Sequence, residues 1–440
     1  MNYNPKYIPL PVIATLLAYL SIGYLFPREN FIALFGFYSL AFFSFVILYK
    51  NETISEKLLF RLGVLFRFLF LFGLPFWSQD FYRFIWDGNL ILDGINPYLN
   101  TPNQIINSTT ISNAQELCNK MGTLSASHYS NYPPINQLFF AVASFFSSQS
   151  ISRTALILKL FIICSDIGIY HYGKKILVLV NQNPKKIFLY FLNPLIVFEL
   201  TGNLHFEGVM LFFFVVGLYL FIKDKWILSA IFISLSISIK LLPLLLLPFF
   251  YQRLGFKKSI YFYTITLLVV VLTFIPFLSP LLFSNYTETI GLWFTNFEFN
   301  ASIYYVVRYI GFYFKGYNII GIVGKITPFL TLLTLIIFSL FRSNKKLGNL
   351  FVNALIALSI YFFISTTVHP WYCVNLVFLS IFTRFKFPII WSYLIVLSYF
   401  AYSRTPFNEN FILLIFEYSI VFCVFIFEMV FSKNKKLCYG

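Results

Sequence analysis

Apolar runs of about 20 residues recur along the whole chain, which is the length that a helix needs to cross the hydrocarbon core of a bilayer. Charged residues interrupt these runs rarely. They make up 11% of the 440 positions, against roughly 25% in a soluble domain. The sequence therefore predicts an all-α, polytopic integral membrane protein, with residues 1–440 forming a single transmembrane domain.

Two apolar segments do not read as simple spans. The segment 133–148 is short and follows Pro133 and Pro134, and the segment 226–250 is too long for one span and contains prolines. With these two, the sequence predicts about 12–14 transmembrane or half-spanning helices. The other twelve candidates are 7–26, 31–49, 58–78, 153–173, 186–201, 205–223, 258–280, 318–341, 348–367, 371–384, 387–403 and 409–431.

Lys and Arg occur in short clusters between the apolar runs, so the net charge of +16 is interpreted as membrane topology and attraction to anionic lipid rather than nucleic-acid binding. Lys50, Lys57 and Arg61 put the loop after the second helix in the cytoplasm. The third helix then leads outward, and the loop 79–132 is extracytoplasmic. The later basic clusters, including the C-terminal KNKK, are predicted to be cytoplasmic.

This topology brings five polar stretches to the same side. It requires that 133–148 does not fully cross and that 226–250 forms two half-spans that meet near Lys240. The stretches are the loop after Asp80, GNLHFEG (202–208), Lys240, NFEFNAS (296–302) and TTVHPWY (366–372). They predict a shared extracytoplasmic pocket.

Asp80 begins the loop 79–132, which is expected to carry short amphipathic helices. An ionised carboxylate at a helix end is stable at the interface or in a polar cavity. It is either an interfacial acid or a general base. Arg83 and Asp87 follow at spacings that share one helical face with Asp80. They form either an interfacial ion pair, or a pair in which Asp87 orients Arg83 towards an anionic group.

His205 and Glu207 lie between apolar segments, where ionisable groups are costly unless they are used. They are either a buried hydrogen-bonded network or a sugar-binding pair. Lys240 is either a snorkelling lysine or a phosphate-binding charge. Candidates of lower rank for phosphate binding are Arg308 and His369.

Asn300, in NFEFNAS, is a further candidate substrate ligand. A metal or disulfide site is not predicted, because His-x-Glu carries no partner spacing and the cysteines show no CxxC pattern. The cysteines are Cys118, Cys164, Cys373, Cys423 and Cys438.

The stretches QDFYRFIWDGNLILDGINPY, NPLIVFELTGNLHFEG, SIKLLPLLLLP and VHPWY resemble the bacterial polyprenol-phosphate-mannose-dependent mannosyltransferases of the GT-C superfamily. More distantly, they are similar to the mannosyltransferase of GPI-anchor synthesis. The resemblance implies an integral membrane enzyme with its active site outside the cytoplasm and with Asp80 as the catalytic carboxylate. Ser78-Gln79-Asp80 stands where the GPI enzyme carries an Asp-x-Asp pair, so a divalent metal remains an open alternative without motif support, and no other cofactor is predicted.

The resulting hypothesis is transfer of a sugar, mannose by resemblance, from a polyprenyl-phosphate donor to a glycan or lipid-linked acceptor, in a bacterial inner membrane. Asp80 would deprotonate the acceptor hydroxyl, and Lys240, with Arg83 or Arg308, would stabilise the departing phosphate. A single displacement implies inversion. The alternative is a lipid-linked sugar flippase or other secondary transporter, which would show polar residues along its helices and an internal repeat.

Overall fold

The computed structural model describes residues 8–404 and 406–431, so the C-terminal KNKK and Cys438 lie outside the described residues. Within these residues the regular structure is helical, apart from one isolated bridge between Phe299 and Thr367. The all-α prediction is confirmed. The α-helices are α1 (Pro9–Tyr24), α2 (Phe31–Lys50), α3 (Glu56–Phe68), α4 (Asp80–Leu92), α5 (Pro102–Ile105), α6 (Ala114–Lys120), α7 (Thr123–Ala126), α8 (Pro134–Ser147), α9 (Ile151–Leu179), α10 (Phe188–Phe191), α11 (Pro194–Ile196), α12 (Glu207–Ile222), α13 (Trp226–Ile237), α14 (Tyr251–Phe274), α15 (Leu282–Thr295), α16 (Ile303–Lys315), α17 (Ile320–Ile336), α18 (Leu347–Ile364), α19 (Cys373–Ser380), α20 (Phe387–Leu394) and α21 (Phe411–Phe431).

Six helical stretches in the described part of the chain are long and apolar enough to cross a membrane, and a bent pair makes a seventh. Five shorter apolar helices accompany them. A polytopic membrane protein was predicted, and this composition confirms it. The six are Phe31–Lys50, Ile151–Leu179, Leu242–Phe277, Ile320–Phe341, Leu347–Ile364 and Phe411–Phe431, and the bent pair is Pro194–Gly202 with Glu207–Ile222.

The third helix is shorter than predicted. It was expected over 58–78, but α3 ends at Phe68 and the chain then runs without a helix to Asp80. Gly73 and Pro75 disfavour a continued helix. The buried Lys159 ammonium of α9 donates to the carbonyl oxygens of Phe70 and Gly73, at 2.7 and 2.6 Å. This contact stabilises the turn that carries the chain to the start of α4.

The predicted helix 186–201 is also broken into pieces. Pro194 ends α10, and the Asn193 side chain accepts a hydrogen bond from the Leu195 amide at 2.9 Å, which starts α11. A π-helical turn follows over Val197–Gly202, and the chain bends by 114° before α12. Such turns are frequent at functional sites. Here the bend places the buried segment 203–206 between two helix ends.

Neither of the two ambiguous segments forms a single long helix, and the topology drawn from them stays a prediction. α13 ends at Ile237 and a 3₁₀ helix begins at Leu242, so the break contains Lys240. Both ends of α8 contact the loop 79–132. Gln137 donates to Asp87 at 3.0 Å, and Gln149, just beyond α8, accepts from the Ser112 amide at 2.9 Å.

The basic loops meet at one end of the molecule. Lys174, near the end of α9, forms an ion pair with Glu56 at 2.5 Å. Lys185 donates to the carbonyl oxygen of Asn51 at 3.0 Å, and Lys186 donates to that of Thr383 at 3.2 Å. These loops are the ones that the positive-inside rule assigned together to the cytoplasm.

Candidate active site

A cavity of about 480 Å³ opens at the other end of α2 from these basic loops. Three of the five predicted polar stretches line it directly: the start of α4, residues 297 and 299, and residues 369–371. The loop 121–132, α15 and the side chains of Tyr399, Tyr402 and Phe407 complete its wall. The remaining two stretches, 202–208 and Lys240, lie next to this wall, as their contacts with Trp371 and Tyr372 show.

Asp80 is the first residue of α4, and its side chain is partly exposed to the cavity. Burial raises the pKa of the Asp80 carboxyl to about 6; the Lys240 charge lowers it and the Glu207 charge raises it. Both groups therefore lie close enough to act on Asp80. A carboxylate with a pKa near 6 is ionised at neutral pH and is a stronger base than an ordinary aspartate.

Lys240 and Glu207 form an ion pair. The Glu207 side chain is 2% exposed, whereas the Lys240 side chain is 35% exposed. The Lys240 ammonium also lies 5.3 Å from the centroid of the Tyr372 ring. Lys240 is therefore fixed beside the cavity by an acid 33 residues earlier in the chain, a pairing that its own apolar sequence neighbours do not suggest.

Arg83 and Asp87 join α4 to the wall of the cavity. The Arg83 Nε donates to Asp87 at 2.7 Å, and its Nη1 donates to the carbonyl oxygens of Ser125 and His128 at 2.6 and 2.9 Å. Asp87 also accepts from the Ser130 hydroxyl at 2.5 Å. Asp87 thus orients Arg83, and the pair secures the loop 122–132. Direct binding of substrate by either residue stays a prediction.

Four rings form a stacked column along the cavity wall. His205 stacks on Trp371 with centroids 3.7 Å apart, Trp371 on His369 at 4.3 Å, and His369 on Phe299 at 5.0 Å. Burial and the Lys240 charge lower the pKa of His369 to about 3. His369 is therefore neutral at physiological pH, so it can exchange hydrogen bonds but cannot offer a cation to a phosphate.

Asn300 and Arg308 lie outside the cavity lining. The Asn300 amide donates to Glu409 at 2.6 Å, and its side chain donates to Glu417 at 3.2 Å. Arg308 forms an ion pair with Glu298. These two candidates support the segment behind Phe299, and a substrate role for them stays a prediction.

Residues 12–254 match the family described as alpha-(1->6)-mannopyranosyltransferase, N-terminal domain, and this match covers more than half of the 440 residues. The chain belongs to this family. Alpha-(1->6)-mannopyranosyltransferase A of Mycobacterium tuberculosis is similar at 23% identity over 184 residues, which cover 41% of this chain and 33% of that protein. The matched region thus spans about a third of that relative's length. The resemblance to bacterial mannosyltransferases is confirmed.

The matched segment of the family contains Asp80 and both of its charged neighbours, Glu207 and Lys240. It ends before His369 and the residues around Asn300. The acid, the ion pair and the Arg83 contacts therefore belong to the part of the chain that is shared with the family. Among the described residues, no group of three or more His, Cys, Asp or Glu side chains is arranged to hold a metal ion.

Sequence reasoning missed Arg28 and Tyr402, which both line the cavity. Arg28 lies in the loop between α1 and α2. The sequence did distinguish Arg28, because a basic residue in a loop assigned to the extracytoplasmic side is an exception to the positive-inside rule. Tyr402 carried no such signal in a chain with 30 Tyr and 59 Phe.

Proposed function

We propose that the protein transfers a sugar, mannose, from a polyprenyl-phosphate donor to an acceptor hydroxyl on the extracytoplasmic side of a bacterial inner membrane. The observation that carries this proposal is Asp80, a partly exposed carboxylate that lines a cavity of about 480 Å³. Burial raises its pKa to about 6, and the paired Lys240 lies beside the cavity wall. Membership of the mannopyranosyltransferase family supports the sugar and the reaction class.

In this mechanism the acceptor oxygen attacks the anomeric carbon of the donor sugar. Asp80 takes the proton of the acceptor hydroxyl as the new carbon–oxygen bond forms. The bond from the anomeric carbon to the phosphate oxygen breaks, and polyprenyl phosphate leaves with that electron pair. The displacement is single, so the anomeric configuration inverts. The acceptor is a glycan or a lipid-linked sugar.

Lys240 contributes positive charge beside the reacting groups, and Glu207 holds it in position. The aromatic column of His205, Trp371, His369 and Phe299 forms a packed wall beside the space proposed for the donor sugar. The Arg83 contacts with Ser125 and His128 hold the loop 122–132, which forms another part of the cavity wall. The family resemblance and the grouping of basic loops at the far end of α2 support an extracytoplasmic site.

The test is transfer by the purified protein from a panel of radiolabelled polyprenyl-phosphate sugars, with the anomeric configuration of the product determined by NMR. Asp80→Asn is expected to bind donor but to lose at least ~10²-fold in transfer rate, the usual contribution of a general base. The matched control is Asp93→Asn, which changes an exposed carboxylate at the other end of α4.

Near wild-type transfer by Asp80→Asn would refute the base assignment. Movement of a lipid-linked sugar across the membrane of protein-containing vesicles, without any sugar transfer, would instead support the flippase alternative.

A further inference from the structure

Arg28 lies on the same cavity as Asp80, in the short loop that joins α1 to α2. Among the described residues that line the cavity, Arg28 and Arg83 are the two that carry Lys or Arg side chains. The side chains of Tyr24 and Leu25, just before this loop, are 39% and 67% exposed. Arg28 therefore lies where the lipid-facing surface meets the rim of the cavity.

The other cations proposed for phosphate binding already have strong partners. Arg83 bonds to Asp87 and to two carbonyl oxygens. Lys240 is paired with Glu207, and Arg308 with Glu298 outside the cavity lining. Each of these charges is offset by a carboxylate at hydrogen-bonding distance, which reduces its attraction for a further anion.

Arg28 has a much weaker partner. Its Nε lies 3.7 Å from a carboxylate oxygen of the adjacent Glu29, whose side chain is 61% exposed, so the pair is long and solvated. The guanidinium lies over the Tyr402 ring, 5.0 Å from the centroid. Stacking of this kind holds the face of the guanidinium and leaves its edge N–H groups available for an anion.

We infer that Arg28 binds the phosphate of the lipid-linked donor at the rim of the cavity. The inference rests on the proposed function. It assigns phosphate binding to a residue that lies outside the loop 79–132. A planar guanidinium suits a phosphate because two N–H groups bond two oxygens. Lipid phosphates lie at the membrane interface, and Arg28 lines the same cavity as Asp80 beside the exposed apolar end of α1. The prenyl chain stays in the lipid while the sugar enters the cavity.

The test compares binding of farnesyl phosphate and farnesol to the purified full-length protein in nanodiscs by calorimetry. Arg28→Gln is expected to raise the Kd for farnesyl phosphate by about tenfold or more, as the loss of a charged hydrogen bond predicts. The Kd for farnesol should not change, and Arg28→Lys should be intermediate. The control is Arg404→Gln, because Arg404 is an exposed arginine two residues after Tyr402 that does not line the cavity.

Equal affinities of wild type and Arg28→Gln for farnesyl phosphate would overturn the inference while leaving the proposed function intact. A wild-type protein that does not distinguish farnesyl phosphate from farnesol would refute both. If inorganic phosphate binds through Arg28 as tightly as farnesyl phosphate, the site recognises free phosphate and the assignment to a lipid donor is wrong. Asp80→Asn should retain full farnesyl phosphate binding, which separates this role from catalysis.

Discussion

The pKa of Asp80 predicts the pH dependence of transfer. A general base acts in its ionised form, so the rate should fall as pH decreases through its pKa of about 6. The quantity to measure is kcat/KM at donor concentrations well below KM, because this parameter reports the free enzyme. The assay is the initial rate of radiolabel transfer in nanodiscs between pH 4.5 and 8.

The expected size of the effect follows from simple titration. A base with a pKa of about 6 is roughly nine-tenths ionised at pH 7 and roughly one-tenth ionised at pH 5, so kcat/KM should fall about tenfold between these values. A solvent-exposed aspartate, whose pKa is ordinarily about 3.9, would stay roughly nine-tenths ionised at pH 5, and the profile would be nearly flat over this range.

Two variants should move the midpoint of the pH profile of kcat/KM in opposite directions. Lys240 lowers the pKa of Asp80, so Lys240→Met should shift the acid limb to higher pH. Glu207 raises that pKa, so Glu207→Gln should shift it to lower pH. Both variants should also transfer more slowly, but the midpoint does not depend on the absolute rate. A flat profile down to pH 5, or midpoints that move together, would refute the electrostatic account of Asp80.

Three further predictions concern packing, the cavity wall and topology. Arg67 and Asp166 form a fully buried ion pair at 2.7 Å. Asp166→Asn should lower the free energy of unfolding by about 3–5 kcal/mol, measured by thermal unfolding in detergent, because it leaves the buried Arg67 without its counter-charge. Arg83→Gln should increase hydrogen exchange in the loop 122–132 and raise the acceptor KM more than the donor KM; unchanged exchange would mean that the loop is held by other contacts. A cysteine at Gln104 should react with an impermeant thiol reagent from outside and one at Asn183 should not, and the reverse pattern would invert the topology.

The class of fold could be predicted from sequence because it follows from local pattern. Apolar runs define spans, and basic clusters define which ends share a side of the membrane. Asp80 emerged as a candidate because a lone acid in an apolar chain is costly without a use. The convergence of the polar stretches followed from the same topology, before any contact between them was known.

What sequence could not supply were contacts between residues far apart in the chain. Lys159 donates to carbonyl oxygens of the turn after α3 from 86 and 89 residues away, and the sequence predicted a continued helix where the structure has this turn. Arg83 bonds to carbonyl oxygens 42 and 45 residues away. The sequence around Lys240 contains no acid, because its partner Glu207 is in another segment. Each of these contacts joins polar groups that only tertiary packing brings together.

The phosphate of the lipid becomes more negative during transfer, which leads to a prediction about Arg28. The donor is a phosphodiester with one negative charge. The departing polyprenyl phosphate is a monoester with two negative charges, and Asp80 becomes neutral in the same step. If Arg28 binds this phosphate, it should stabilise the monoester more than the diester. Arg28→Gln should therefore weaken binding of farnesyl phosphate by a larger factor than binding of farnesyl-phosphate mannose at pH 8. The difference should shrink at pH 5, where the monoester is singly charged. Equal losses for the two ligands at pH 8 would mean that Arg28 contacts the sugar or the prenyl chain instead of the phosphate.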